Sequence, residues 1–191
     1  LLDIAIWAMG EEKPAKSVVA TGNKFVMQDN RTTPDTLEVV WEFDDYLLSF
    51  SNRVFNDYLP EGYQSHGILF HGTLGTLRVD RGGYEVKSVS NNEGCEEIKK
   101  GGSQINEPHW ENFCQSIRER KDPISSVEKL NYTTQICHMG TCSFVANGAK
   151  LHWDPETEHF KGDGEEVKQA NAWAYRPYLN GWSLKSPYRI A

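Results

Sequence analysis

The stretch from His66 to Val86, HGILFHGTLGTLRVDRGGYEV, does most to limit what this chain can become. Ile68, Leu69 and Phe70 form a short apolar run bounded by glycine, and Gly72 and Gly75 bracket a turn. Thr76 to Val79 is β-prone, and Gly82-Gly83 makes a second turn before Tyr84-Glu85-Val86. Strand, turn, strand, turn, strand reads as an antiparallel meander. Glycine suits such turns because a positive φ costs it almost nothing.

The segments before the meander extend the same pattern. Pro14 to Gly22 reads as a short strand. From Asp35 to Phe43 the residues alternate, with Leu37, Val39, Trp41 and Phe43 on one face and Glu38 and Glu42 on the other. That is a strand with one buried face. Asp44-Asp45 makes a turn, and Tyr46 to Phe55 alternates again through Tyr46, Leu48, Phe50 and Val54, so Asp35 to Phe55 is a long hairpin. Between the first strand and this hairpin lies a polar loop, Lys24 to Asp35.

Helices belong mostly to the second half. Trp110, Phe113, Cys114 and Ile117 recur at helical spacing behind Pro108, which suits a first turn. Arg118, Arg120 and Lys121 favour the negative end of that helix, and Pro123 stops it. Ser125 or Ser126 caps a longer helix running to Asn147-Gly148, with Val127, Leu130, Thr134, Cys137, Thr141 and Val145 on one face. Lys150 to Asp154 is a short strand, Pro155 a turn, and Glu165 to Trp173 a final short helix. Ser88 to Gly102 reads as a polar loop, and Tyr175 to Ala191 as a tail laid on the surface. At the front, Leu1 to Met9 is an apolar helix ended by Gly10 with no capping residue before it, which reads as the tail of a longer helix. Strands in one block and helices in another predict an α+β domain over residues 1–191, with helices on one face of an open, mainly antiparallel sheet.

Composition narrows the function. The 191 residues carry a formal charge of −7, which argues against a nucleic-acid groove lined with Lys and Arg. No apolar run approaches the roughly 20 residues of a membrane span, and no signal peptide is visible. Location is cytoplasmic by default, with export of the parent protein left open. Cys95, Cys114, Cys137 and Cys142 form no CxxC pair, and the three in helices read as small buried apolar residues. Cys137, His138 and Cys142 could place sulfur and imidazole on neighbouring helix faces, but a tetrahedral site wants further ligands, so no metal is expected there.

Two groups of residues can carry ligand chemistry. Lys24, Asp29 and Arg31 of the polar loop are suited to dense hydroxyls. His138, beside a packed helix face, reads as a structural histidine or as a substrate contact, histidine being the side chain most easily set to exchange a proton near neutral pH. Gly72-Thr73-Leu74-Gly75 is the nearest approach to a dinucleotide loop, but it lacks a third glycine and leads into a strand, so no cofactor site is expected in this chain.

Several segments together resemble the C-terminal domain of the Gfo/Idh/MocA oxidoreductases. LLDIAIWAMG resembles the family's helix after the catalytic segment, which makes Asp3 its aspartate. TPDTLEVVWEF resembles its central hairpin, HGILFHGTLGTLRVDRGGYEV its sheet-building segment, and HWENFCQSIRERKDP its helix before a proline. YTTQICHMGTCSFVANGAKLHWDPETEHFKGD resembles the C-terminal helix and strand of one bacterial branch. The resemblance implies a parent with an N-terminal Rossmann domain holding NAD or NADP and the catalytic lysine and histidine. It implies a sugar, inositol or related polyol as substrate, touched by candidates Asp3, Lys24, Asp29, Arg31 and His138. It also implies a homo-oligomer built through the sheet face, and an isolated chain that does not catalyse. Two alternatives stay open: half of an NAD-dependent glycoside hydrolase on the same scaffold, or a binding and scaffolding module.

Overall fold

The structure, a computed structural model, describes residues 1–10, 14–56, 66–89, 96, 98–102, 106–175 and 180. In chain order its elements begin with helix α1 (Leu2–Met9) and strands β1 (Ser17–Asn23), β2 (Thr36–Glu42) and β3 (Leu47–Arg53). Strands β4 (Ile68–His71), β5 (Gly75–Asp80), β6 (Gly83–Ser88) and β7 (Ile98–Gly101) follow. Helices α2 (Asn106–Glu119) and α3 (Val127–Val145), strands β8 (Leu151–Asp154) and β9 (His159–Phe160), and helix α4 (Glu165–Ala174) complete them. Two compact units result: residues 1–12 with 54–134, and residues 13–53 with 135–191. The class is α+β with open antiparallel sheets, as the sequence predicts, although the strands divide between two sheets.

The second unit holds a five-stranded sheet in the order β3-β2-β1-β8-β9. Its register aligns Val18 with Trp41 and Leu48, and Ala20 with Val39 and Phe50. Alternation turns these residues to one face, where Val18, Ala20, Val39 and Trp41 are buried beneath α3. The Trp41 indole N–H donates to the Ile136 carbonyl at 2.9 Å. Gly140 sets the approach: a Cβ there would lie 3.0 Å from Val39 Cγ1 and 3.1 Å from Trp41 Cζ2. Ser143, fully buried, accepts the Ala20 N–H at 2.9 Å and donates to the Ala149 carbonyl at 2.7 Å. That bond replaces a missing strand, because β8 pairs with β1 only at Ser17 and Val18. Past the helix ladder, the Gly148 N–H returns to the Ser143 carbonyl at 2.9 Å, with Asn147 left-handed at φ 57°. This is a Schellman closure with Asn in the role usually given to glycine.

The opposite face of this sheet is mixed in character. Across β1, β2 and β3 it carries Val19, Val40 and Ser49 in one row and Thr21, Glu38 and Ser51 in the next. A further row holds Ser17, Glu42 and Leu47. Its carboxylates are engaged: Glu38 by Ser51 at 2.7 Å and Arg53 at 2.8 Å, Glu42 by Lys150 at 2.7 Å and Ser17 at 2.8 Å. The polar half of the β2 alternation therefore faces outward, as read.

The first unit holds the meander, ordered β4-β5-β6-β7. Leu77 pairs with Phe70 and Val86, and Val86 with Ile98, giving an apolar face. Arg78 pairs with Leu69 and Glu85, and Glu85 with Lys99, giving a charged one. Gly83, at φ +136°, is obligatory in its turn, since a Cβ would stand 2.0 Å from the Lys100 carbonyl of β7. Asp80 secures the same turn by accepting the Gly82 N–H at 2.6 Å.

Some expectations change. β7 occupies part of the segment expected to be a polar loop, and β9 follows the turn at Pro155; both are too short to show a period. On α3 the buried residues are Ile136, Met139, Gly140, Cys142 and Ser143, while Val127, Leu130, Cys137 and Thr141 are exposed. Apolar spacing misleads there because the helix packs through small residues. Cys114 and Cys137 are exposed and Cys142 alone is buried, its thiol pushed up to about 11 by that burial. Cys95 and most of the C-terminal tail lie outside the described residues.

Candidate substrate-facing loop

The loop between β1 and β2, residues 24–35, gathers three of the five residues that the sequence nominates. Asp35 anchors it. Its buried carboxylate accepts the backbone N–H groups of Phe25 (3.1 Å), Val26 (2.8 Å) and Met27 (2.8 Å), and the Thr36 hydroxyl at 2.9 Å. Burial raises the carboxyl pKa, but these donors outweigh it and bring the value down to about 2. In the sequence the only signal for this role is a lone Asp after proline at a strand start, which is also a common turn pattern and marks no more than the hairpin's beginning.

Asp29 organises the outer half. Its Oδ1 accepts from the Arg31 backbone N–H and from Lys24 Nζ, each at 3.1 Å, and its Oδ2 from Arg31 Nε at 2.5 Å. Arg31, then Lys24, holds the carboxyl below the usual aspartate range. Lys24 Nζ also donates to the Asp29 carbonyl at 2.5 Å and the Arg31 carbonyl at 3.1 Å, which occupies its three protons. The triad is therefore mostly satisfied by itself. Arg31 keeps donors in reserve: of its five N–H groups, those on Nε and Nη2 serve Asp29 and Met27 Sδ. Phe25 and Val26, 65% and 53% exposed, stand beside this cluster on a backbone fixed by Asp35.

The other two nominees belong to helices rather than to the loop. His138 is exposed on α3, and no hydrogen bond or ion pair among the described residues joins it to the loop. Asp3 is exposed in the first turn of α1. Among the described residues no three His, Cys, Asp or Glu side chains gather as a metal site. No helix among them is long and apolar enough to cross a membrane. Gly72 and Gly75 do not fit a dinucleotide. They join β4 to β5, the Gly72 N–H is engaged by the Gly75 carbonyl at 2.9 Å, and no helix N-terminus follows to meet a pyrophosphate.

An open antiparallel sheet with a long helix on one face defines the class as α+β. Solved chains of the Gfo/Idh/MocA type share this fold. One is a Thermotoga maritima chain, at 20% identity and a TM-score of 0.53, covering 74% of this chain and 41% of its own. The WlbA dehydrogenase from Bordetella pertussis, solved with NADH and UDP-GlcNAcA, matches at 15% identity and 0.51, covering 80% of this chain and 42% of its own. An oxidoreductase from Agrobacterium radiobacter, solved with NAD+, L-tartaric acid and magnesium, matches at 15% and 0.53, covering 79% and 46%. The chain thus spans about half the length of the structures it matches. No protein-family model and no curated relative matches the sequence.

Proposed function

We propose that this chain is the substrate-facing, self-associating half of an NAD(P)-dependent oxidoreductase acting on a sugar, an inositol or a related polyol, with residues 1–191 serving as its C-terminal domain. The observation that carries the reading is the extent of the fold match. Most of this chain is covered, while less than half of the WlbA dehydrogenase and of the Agrobacterium enzyme is. Hydride chemistry belongs to the nicotinamide, which the other half of such a protein would hold. In this reading Arg31 offers its free N–H groups to ligand hydroxyls, and Lys24 and Asp29 fix its posture. His138 is a further candidate contact, and Asp3, in the other unit, is a candidate in its own right. The sheet face across Val19, Val40 and Leu47 would meet a second copy.

The test compares the 191-residue chain with a longer protein carrying a nucleotide-binding domain before Leu1. NADH formation is measured over a panel of sugars and polyols. Turnover is expected from the longer protein only. Turnover by the 191-residue chain, or a longer protein inert on every polyol, would overturn the reading. Light scattering at micromolar concentration should give an oligomer, and a monomer refutes the self-association.

A further inference from the structure

Helix α2 turns its apolar side to solvent. At about 100° per residue, Trp110, Phe113 and Ile117 share one face of it. That face is bare: the three are 66%, 48% and 53% exposed. The far side is the one that packs. Ser116 is buried there, and half-buried Asn112 accepts the Ile124 N–H on Oδ1 at 3.0 Å. The Trp110 and Phe113 rings meet edge to face, centroids 6.5 Å apart at 81°. With aromatic side chains of about 150–250 Å², the stripe amounts to roughly 350 Å² on each copy. A contiguous apolar patch of that size marks an interaction surface.

The charges beside the stripe select its occupant. Along the flank that carries exposed Cys114 run Glu107, Glu111 and Arg118, acid toward the N-terminal end and base toward the C-terminal end. Glu119 is already engaged, by Gln115 at 2.7 Å and Lys121 at 2.9 Å. Glu107, Glu111 and Arg118 make no ion pair among the described residues. Such a flank is complementary to its own reverse. A second α2 laid antiparallel sets Glu111 of each copy toward Arg118 of the other, Trp110 beside Ile117, and Cys114 near Cys114 across a two-fold axis. The two stripes bury roughly 700 Å² before the flanks are added, which makes this a small, weak contact among specific interfaces.

We propose that α2 pairs antiparallel with α2 of a second copy of this chain. The contact belongs to the unit of residues 1–12 and 54–134, whereas the sheet face across Val19, Val40 and Leu47 belongs to the other, so the two interfaces are separate. A short bismaleimide added to the whole chain at micromolar concentration should join Cys114 to Cys114, as peptide mapping by mass spectrometry reads. Trp110→Glu should cut that product at least about fivefold. Glu111→Arg or Arg118→Glu should each cut it about threefold, because like charges then meet on both sides of the axis. The two charge changes together should restore it to within about twofold. Leu47→Glu, on the sheet face, should leave it unchanged. These positions are exposed, and far-UV circular dichroism checks that each variant keeps its helices. The proposal is overturned by the absence of a Cys114 product, by a product indifferent to Trp110→Glu or lost in Leu47→Glu, or by a double charge swap no better than the single ones. A longer protein with a nucleotide-binding domain before Leu1, in which Cys114 is closed to maleimide, would assign the stripe to that domain and overturns it as well. None of these results bears on turnover, so the oxidoreductase reading stands or falls separately.

Discussion

Ser143→Ala should destabilise the fold far more than loss of one oxygen from a helix suggests. The hydroxyl is fully buried and serves two backbone groups, the Ala20 N–H at 2.9 Å and the Ala149 carbonyl at 2.7 Å. Alanine removes the partner of both, the Ala20 N–H being buried and the Ala149 carbonyl half-buried. An orphaned buried backbone group costs about 1–3 kcal/mol, and the half-buried Ala149 carbonyl adds less, so the pair costs about 2–4 kcal/mol. Alanine returns about 0.5 kcal/mol through its better helix propensity. The net loss is about 3 kcal/mol, which for a chain of this length lowers Tm by about 6–12 °C. Thermal unfolding followed by far-UV circular dichroism measures the shift, and Thr141→Ala, on the exposed side of α3, controls for propensity. Hydrogen exchange at the Ala20 amide should accelerate in step. A Tm within about 2 °C of the parent, with Ala20 exchange unchanged, would show that the β1 edge does not depend on this side chain.

Three further outcomes are expected. Asp35 titrates lower in the folded chain than in the unfolded one, so its contribution is complete above about pH 4 and lost as pH falls toward 2. Asp35→Asn should flatten that acid limb of the stability curve, as read by urea unfolding at stepped pH. Asn171→Ala removes a side chain that accepts the Phe160 N–H at 2.8 Å and donates to the Phe160 carbonyl at 3.0 Å; a loss of about 1–3 kcal/mol is expected, with exchange at Phe160 as the local readout. Gly140→Leu forces bulk into a place where a Cβ alone would stand 3.0 Å from Val39 Cγ1; about 1–3 kcal/mol should be lost, visible as a changed Trp41 near-UV signal.

How far residues announce their roles differs along the chain. The meander and the hairpin were legible because period-two alternation and glycine turns are local, and Gly83 confirms the turn by its φ of +136°. The face of α3 was not, because Gly140 and Ser143 pack by being small and by hydrogen bonding, and neither property enters an apolar period. The loop residues Lys24, Asp29 and Arg31 were found by charge, and their convergence is real. Their mutual satisfaction was hidden, since spacing alone does not reveal that Lys24 spends its protons on backbone carbonyls. Asp35 and Asn171 act through backbone groups far along the chain, which no local pattern records.

The Ser143 contact also fixes where zipping of the β8 strand onto β1 must stop. Beyond Val18 the rim of the sheet is already occupied by a helix side chain, so the terminal hairpin cannot gain rungs by sliding inward. Sheet width on this side is thus governed from above, by one hydroxyl in the covering layer, and residues inserted between Asn147 and Lys150 would bulge into solvent rather than lengthen the ladder.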